Sequence, residues 1–163
     1  MRILATMALV ALCSVGTPAF GQSLMKDFTW TEMRSELTTA GLTITSDGVS
    51  GDSRYVAVKA ESGLVYGVYG FQCDTTEASQ RCTGAEFVAS FTLADEDLID
   101  DALAAVDYAA LADYRGDDGR LKVSRYIIFD GGISHANLQA NLDVFTRLTD
   151  NIWDMLDDND WLK

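Results

Sequence analysis

Arg54-Tyr55-Val56-Ala57-Val58-Lys59-Ala60-Glu61-Ser62-Gly63-Leu64-Val65-Tyr66-Gly67-Val68-Tyr69-Gly70-Phe71-Gln72 is the stretch that decides the fold. Val56, Val58 and Ala60 recur at every second position and share one face of a strand over 55–60. Glu61-Ser62-Gly63 supplies a turn, and 64–72 returns as a strand rich in aromatic and β-branched residues. That is a hairpin. Gly67 and Gly70 lower the strand propensity of the returning arm, which points to a bulge or to the close passage of another element.

Outward from this hairpin, 82–92 reads as a third long strand with Phe87, Ala89 and Phe91 on one face, after a polar loop over 74–80. Asp95 to Asp107 reads as a helix, with Leu98, Ala102 and Val106 in a row and three acidic residues at the dipole-favoured start. A second hairpin follows over 111–116 and 120–130, with Asp118-Gly119 as its turn. Toward the N-terminus, Trp30, Met33, Leu37 and Ala40 have helical spacing; Thr29 and Glu32 form a capping-box pair and Gly41 a stop. Leu42 to Thr45 reads as a short strand ended by Ser46-Asp47-Gly48. The last helix is expected over 135–156, with Leu138, Leu142, Phe145, Leu148, Ile152 and Leu156 as its apolar stripe. The expected class is α+β, in the order α-β-β-β-β-α-β-β-α with the first strand short. Its mainly antiparallel sheet of about five strands has helices packed on it.

The chain starts with Arg2 before an apolar run through Cys13, followed by Gly16, Thr17 and Pro18, which is the pattern of a secretory signal peptide. Small residues at Ala19 and Gly21 place cleavage after Gly21, with cleavage after Ala19 as the alternative. Residues 1–21 are then a leader and 22–163 a single domain. A membrane anchor needs roughly 20 apolar residues, more than this run holds. Leu12 is too large to precede a lipidated Cys13. The product is expected to be periplasmic or secreted, without membrane insertion after cleavage.

All 25 acidic residues lie beyond the leader, and the formal net charge is −13. Such a chain repels phosphate backbones and anionic lipid, so nucleic acid is not an expected partner. Cys73 and Cys82 remain after cleavage, and in an oxidising compartment they favour a structural disulfide. Zinc would need two further ligands, and His135 is the only histidine. No C-x-x-C is present.

Catalytic patterns are also missing: the sequence has no G-x-S-x-G elbow, Walker loop or G-x-G-x-x-G fingerprint. His135 directly follows the expected helix cap Ser134, an ordinary solvent-facing place. Asp113-Tyr114-Arg115-Gly116-Asp117-Asp118-Gly119 fails the EF-hand rule at its third and sixth positions. Asp100-Asp101 and Asp157-Asp158-Asn159-Asp160 read as solvated carboxylates. No enzyme activity, cofactor or metal is expected.

Aromatic residues are more informative. If helices cover one face of the sheet only, Tyr55, Tyr66, Val88, Tyr126 and Ile128 are expected to form an exposed apolar patch, the mark of a partner surface. Single exposed tyrosines on sheets are ordinary, and that alternative stays open.

Three local features carry a resemblance. They are Val65-Tyr66-Gly67-Val68-Tyr69-Gly70-Phe71 ending at Cys73, the return strand Cys82-x-x-x-Glu86-Phe87, and Gly131-Gly132-Ile133-Ser134-x-x-Asn137-Leu138-x-x-Asn141-Leu142. With the order of elements over 28–156, they resemble the YbjN domain family of bacterial sensory transduction regulators, whose fold is similar to type III secretion chaperones. Ala104-Ala105-Val106-Asp107-Tyr108 departs from the Trp-Asn pair that the family often carries near the end of its second helix. The resemblance implies regulation or chaperone-like binding in the bacterial envelope, with no catalytic residues. A protein partner is expected, and a homodimer is one form it could take. A small-ligand or calcium-binding module using Asp117 and Asp118 is the alternative, and an uncharacterised hydrolase comes third.

Overall fold

The computed structural model describes residues 23–50, 53–74 and 80–163, so the expected leader over 1–21 lies outside the described residues. Two-residue strands β1 (Leu24–Met25) and β2 (Phe28–Thr29) lead into helix α1 (Trp30–Thr39). Strands β3 (Thr43–Ser50), β4 (Ser53–Lys59), β5 (Val65–Cys73) and β6 (Arg81–Phe91) follow, then helix α2 (Leu98–Ala105). The chain ends with β7 (Ala112–Arg115), β8 (Leu121–Ile128), β9 (Ile133–Ser134) and helix α3 (His135–Asp158).

The main sheet has the order β3-β4-β5-β6-β8-β7, with every pair antiparallel. β2 adds to β6 at Cys82 and Arg81, beyond the point where β8 stops at Gly84. β1 and β9 form a separate small ladder. The fold is thus α+β, with seven strands in the main sheet where about five were expected. One source of the difference is β2, a two-residue pairing with no period of its own. β3, already expected as a short strand, differs in length: it was expected to end at 45 but continues to Ser50. Its register shifts between Ile44 and Ser46, so the turn-forming residues Ser46, Asp47 and Gly48 are paired with Ala57, Val56 and Tyr55. The bulge interrupts the alternation and makes a strand look like a strand end.

α1 starts where a capping box fixes it. The Glu32 N–H donates to Thr29 Oγ1 at 3.3 Å and the Thr29 N–H to Glu32 Oε2 at 2.7 Å. Gly41 takes the left-handed φ of 80° after the helix, which lets the Leu42 N–H reach the Leu37 carbonyl. α2 is shorter than the expected 95–107. Asp95 accepts the Asp97 N–H on its own side chain at 3.0 Å, so the acidic triplet folds as a turn before the helix.

α3 begins at Ser134, whose hydroxyl accepts the Asn137 N–H at 3.1 Å. Its buried stripe is Leu138, Leu142, Phe145, Thr149, Ile152 and Leu156. Thr149 replaces the expected Leu148, because its hydroxyl donates to the Phe145 carbonyl at 2.7 Å and so can face inward without an unsatisfied group. The inner side of the sheet supplies Val56, Val58, Phe87, Phe91, Leu121 and Val123 to this helix and to Trp30, Met33, Leu37, Ile99 and Ala102. Every helix contributes to that one core.

The two glycines of β5 answer to close approach. The β4–β5 ladder has no register shift. A Cβ at Gly70 would stand 2.7 Å from both Cys73 Sγ and Cys82 Sγ and 3.0 Å from Trp30 Cζ2. Cys73 and Cys82 are opposite one another in the ladder and joined by a disulfide. Gln72, at φ 50°, is the left-handed residue just before the bridge.

Candidate functional site

With the core on one side, the other side of the sheet faces solvent. Antiparallel register arranges its outward residues in rows. One row runs Tyr55, Tyr69, Glu86, Tyr126 across β4, β5, β6 and β8. The next on one side is Phe71, Gly84, Ile128, and on the other Ala57, Gly67, Val88, Ser124, Ala112. Tyr114, Lys122 and Ser90 follow. Phe71, Tyr126 and Ile128, which share neighbouring rows, are 40% or more exposed and form an apolar patch; Tyr114 and Val65 are equally exposed farther along the face.

Glycines bed the aromatic rings of this face. Tyr55 covers Gly48, Tyr69 covers Gly67 and Phe71 covers Gly84, each with ring atoms within 3.1 Å of where a Cβ would be. The rings therefore lie along the sheet. Tyr55 and Tyr69 are adjacent at a centroid distance of 5.6 Å and an interplanar angle of 30°. Phe71 meets Tyr126 at 5.9 Å and 73°.

Glu86 is the acidic residue in the middle row. A hydrogen bond to its carboxylate, then burial, pushes the Tyr126 hydroxyl up to about 12. Burial, then the charges of Tyr55 and Glu86, raises Tyr69 above its ordinary value. Tyr114 is raised by burial first and by the Glu86 charge second. Three phenols thus feel one carboxylate.

Of the expected patch, Tyr126 and Ile128 are exposed and Tyr55 and Val88 half-buried on this face. Tyr66 is not part of it. It pairs with Val58, is only 2% exposed, and packs its ring on Phe145 at 5.0 Å. Its hydroxyl, which reads as outward-facing in a sequence, is satisfied inside by the Thr146 hydroxyl at 3.1 Å. Burial pushes it up to about 12. Tyr69, Phe71, Tyr114 and Glu86 take its place in the patch. The signal for Tyr69 and Phe71 was the alternation of 65–73 counted from Val65, which sets both opposite in face to Val68.

The glycine-serine motif organises the start of α3. Gly131 and Gly132 have φ of 83° and 94°. Asn141 donates to the Asn137 carbonyl at 2.8 Å and accepts from Arg125 Nε and Nη2 at 2.9 and 2.7 Å, which ties the helix to β8. His135 Nδ1 is 2.6 Å from Glu36 Oε1, and Gln139 Nε2 donates to Glu36 Oε2 at 2.7 Å. Glu36 was not legible as a partner, being nearly a hundred residues away in sequence. The set joins α1 to α3.

Asp118 accepts the Arg120 N–H at 3.3 Å and stands 3.4 Å from Lys122 Nζ, within the hairpin turn that Gly119 closes at φ 72°. Asp100 stands 3.5 Å from Arg115. Among the described residues no three His, Cys, Asp or Glu side chains gather as a metal site. Among them, too, no helix is long and apolar enough to cross a membrane. A further cleft of about 700 Å³ lies at the end of the sheet, lined by Leu64, Val65, Phe91, Asp150, Trp153 and Asp154.

No family model, no curated protein and no solved structure matches the chain.

Proposed function

We propose that the chain is an exported, non-enzymatic binding or regulatory protein of the bacterial envelope that recognises another polypeptide on the open face of its sheet. The observation that carries this reading is the row of glycine-bedded aromatic residues around Tyr69 and Tyr126, exposed or half-buried on a sheet whose other face holds the core of the described residues. An open sheet face six strands wide suits a polypeptide surface better than a small molecule, which favours concave sites. The resemblance to the YbjN family, and through it to secretion chaperones, supports the same reading and belongs to the proposal.

A photo-crosslinking amino acid at position 126, compared with one at Ala104 on α2, tests it in cells. Crosslinks to a polypeptide from 126 and none from 104 are expected. No polypeptide crosslink from 126 would overturn the reading.

A further inference from the structure

Glu86 sets a condition on whatever covers the open face. It sits in the row between Tyr69 and Tyr126 and is half-buried before any partner arrives. None of the ion pairs among the described residues includes it. Lys122, on the same face, lies opposite Ser90, four residues along β6 from Glu86, about 13 Å at the usual strand rise. Its ammonium is held by Asp118 at 3.4 Å.

A partner that covers this face removes water from the Glu86 carboxylate. The Tyr126 hydroxyl, its neighbour across the ladder, is neutral and leaves that charge uncompensated. A desolvated carboxylate without a counter-ion is costly, so an apolar partner surface would lose at this point what it gains on the rings around it. A cation gains twice. It neutralises Glu86, and the neighbouring tyrosine rings attract it through their electron-rich faces. A second copy of the chain fits poorly, because a two-fold stack centred on this face would bring two Glu86 carboxylates together on a protein of net charge −13.

We propose that the open face receives a basic segment of a partner polypeptide, with a Lys or Arg side chain seated over the Glu86 carboxylate among Tyr69, Tyr114 and Tyr126. This rests on the polypeptide-binding reading above and adds the chemistry of the partner. Apolar residues alternating with the basic ones would cover Phe71, Ile128 and Val88 in the flanking rows.

The test uses the purified protein and two synthetic hexapeptides, one of alternating Val and Lys and one of alternating Val and Glu, followed by two-dimensional NMR. The Lys peptide is expected to give saturable shifts centred on Tyr69, Glu86, Tyr114 and Tyr126, and the Glu peptide none. Glu86→Gln should weaken the Lys peptide at least about tenfold, while Asp101→Asn, which removes the same charge from an exposed site on α2, should leave it within about twofold. Tyr126→Leu keeps the surface apolar and should also weaken binding.

Absence of saturable shifts, shifts spread over the acidic surface, or equal affinity in Glu86→Gln would overturn the proposal. Crosslinking from position 126 separates this failure from that of the broader reading. If a polypeptide is still captured equally by Glu86→Gln, the partner surface stands and the cationic contact is wrong; capture of only a second copy of the chain overturns the basic partner as well.

Discussion

The ring of Tyr69 occupies the space that a side chain at Gly67 would need, with Cε2 2.6 Å from the position of a Cβ there. Three residues on, Gly70 is closed on the opposite face by the disulfide sulfurs and Trp30. The two glycines differ in what can move. A tyrosine ring at a solvent-facing surface can swing away, whereas a disulfide packed on a buried tryptophan cannot. Gly67→Ala is expected to cost under about 1 kcal/mol, and Gly70→Ala about 1–3 kcal/mol. Urea melts of both variants check this, and equal losses would show that the faces are not as different as described.

Phe145 is fully buried and meets Tyr66 and Phe87 edge-on at 5.0 and 5.6 Å. Phe145→Ala should destabilise by about 3–5 kcal/mol. Asp143→Ala, which removes only the exposed pair with Arg147, should stay within about 0.5 kcal/mol. Thermal melting of Phe145→Ala at the wild-type temperature would place this part of α3 outside the core.

Gly132 has φ 94°, and a Cβ there would stand 2.9 Å from Leu24 Cβ. Gly132→Val should cost about 1–3 kcal/mol, since it adds backbone strain to a clash across the β1–β9 ladder. Differential scanning calorimetry reads this directly, and an unchanged transition would mean that the turn tolerates a side chain.

Hydrogen bonding to Glu86 holds the Tyr126 hydroxyl at about 12, while burial holds Tyr66 at a similar value. Alkaline difference spectra should show two phenols titrating near 12 in the folded protein. In Glu86→Gln one of them should move toward the ordinary value of 10, and the Tyr66 step should remain. Loss of both late steps in the variant would assign the shift to something other than the carboxylate.

Asp27, through its hydrogen bond with Arg81, and Glu32, through the Thr29 N–H, are held below their ordinary values of 3.8 and 4.5. Depressed folded-state values stabilise the fold above those numbers, and that contribution is lost as pH falls through the lower folded-state values. Both groups are well exposed, so the effect is small. Arg81→Gln should lower the melting temperature at pH 6 slightly, and the gap to wild type should close as pH falls below the ordinary carboxylate value of 3.8. A gap that grows in acid would contradict the pairing.

What could be read ahead of the structure was local. The 55–72 hairpin, the Thr29–Glu32 box and the Ser134 cap each depend on residues within a few positions, and so does the disulfide loop. What could not be read depends on register across strands. Counting by twos along one strand does not say which side of the sheet it shares with its neighbour, and Tyr66 was set on the wrong face for that reason. Glu86 becomes part of a site only because four strands align it with Tyr55, Tyr69 and Tyr126. The bulge at Ile44 and Ser46 broke the period that would have extended β3.

Those irregular margins have a consequence for solubility. A sheet that leaves aromatic side chains in water risks growing sideways by adding strands from other molecules. Here one margin is β7, four residues long with Asp113 and Arg115 along it. The other is β3, kinked at Ile44 and Ser46 and carrying Asp47, paired with Arg34 at 3.5 Å. Short, bent and charged margins are poor templates for a foreign strand. Both rims of the sheet are thereby closed to lateral growth, although the strands between them stay regular.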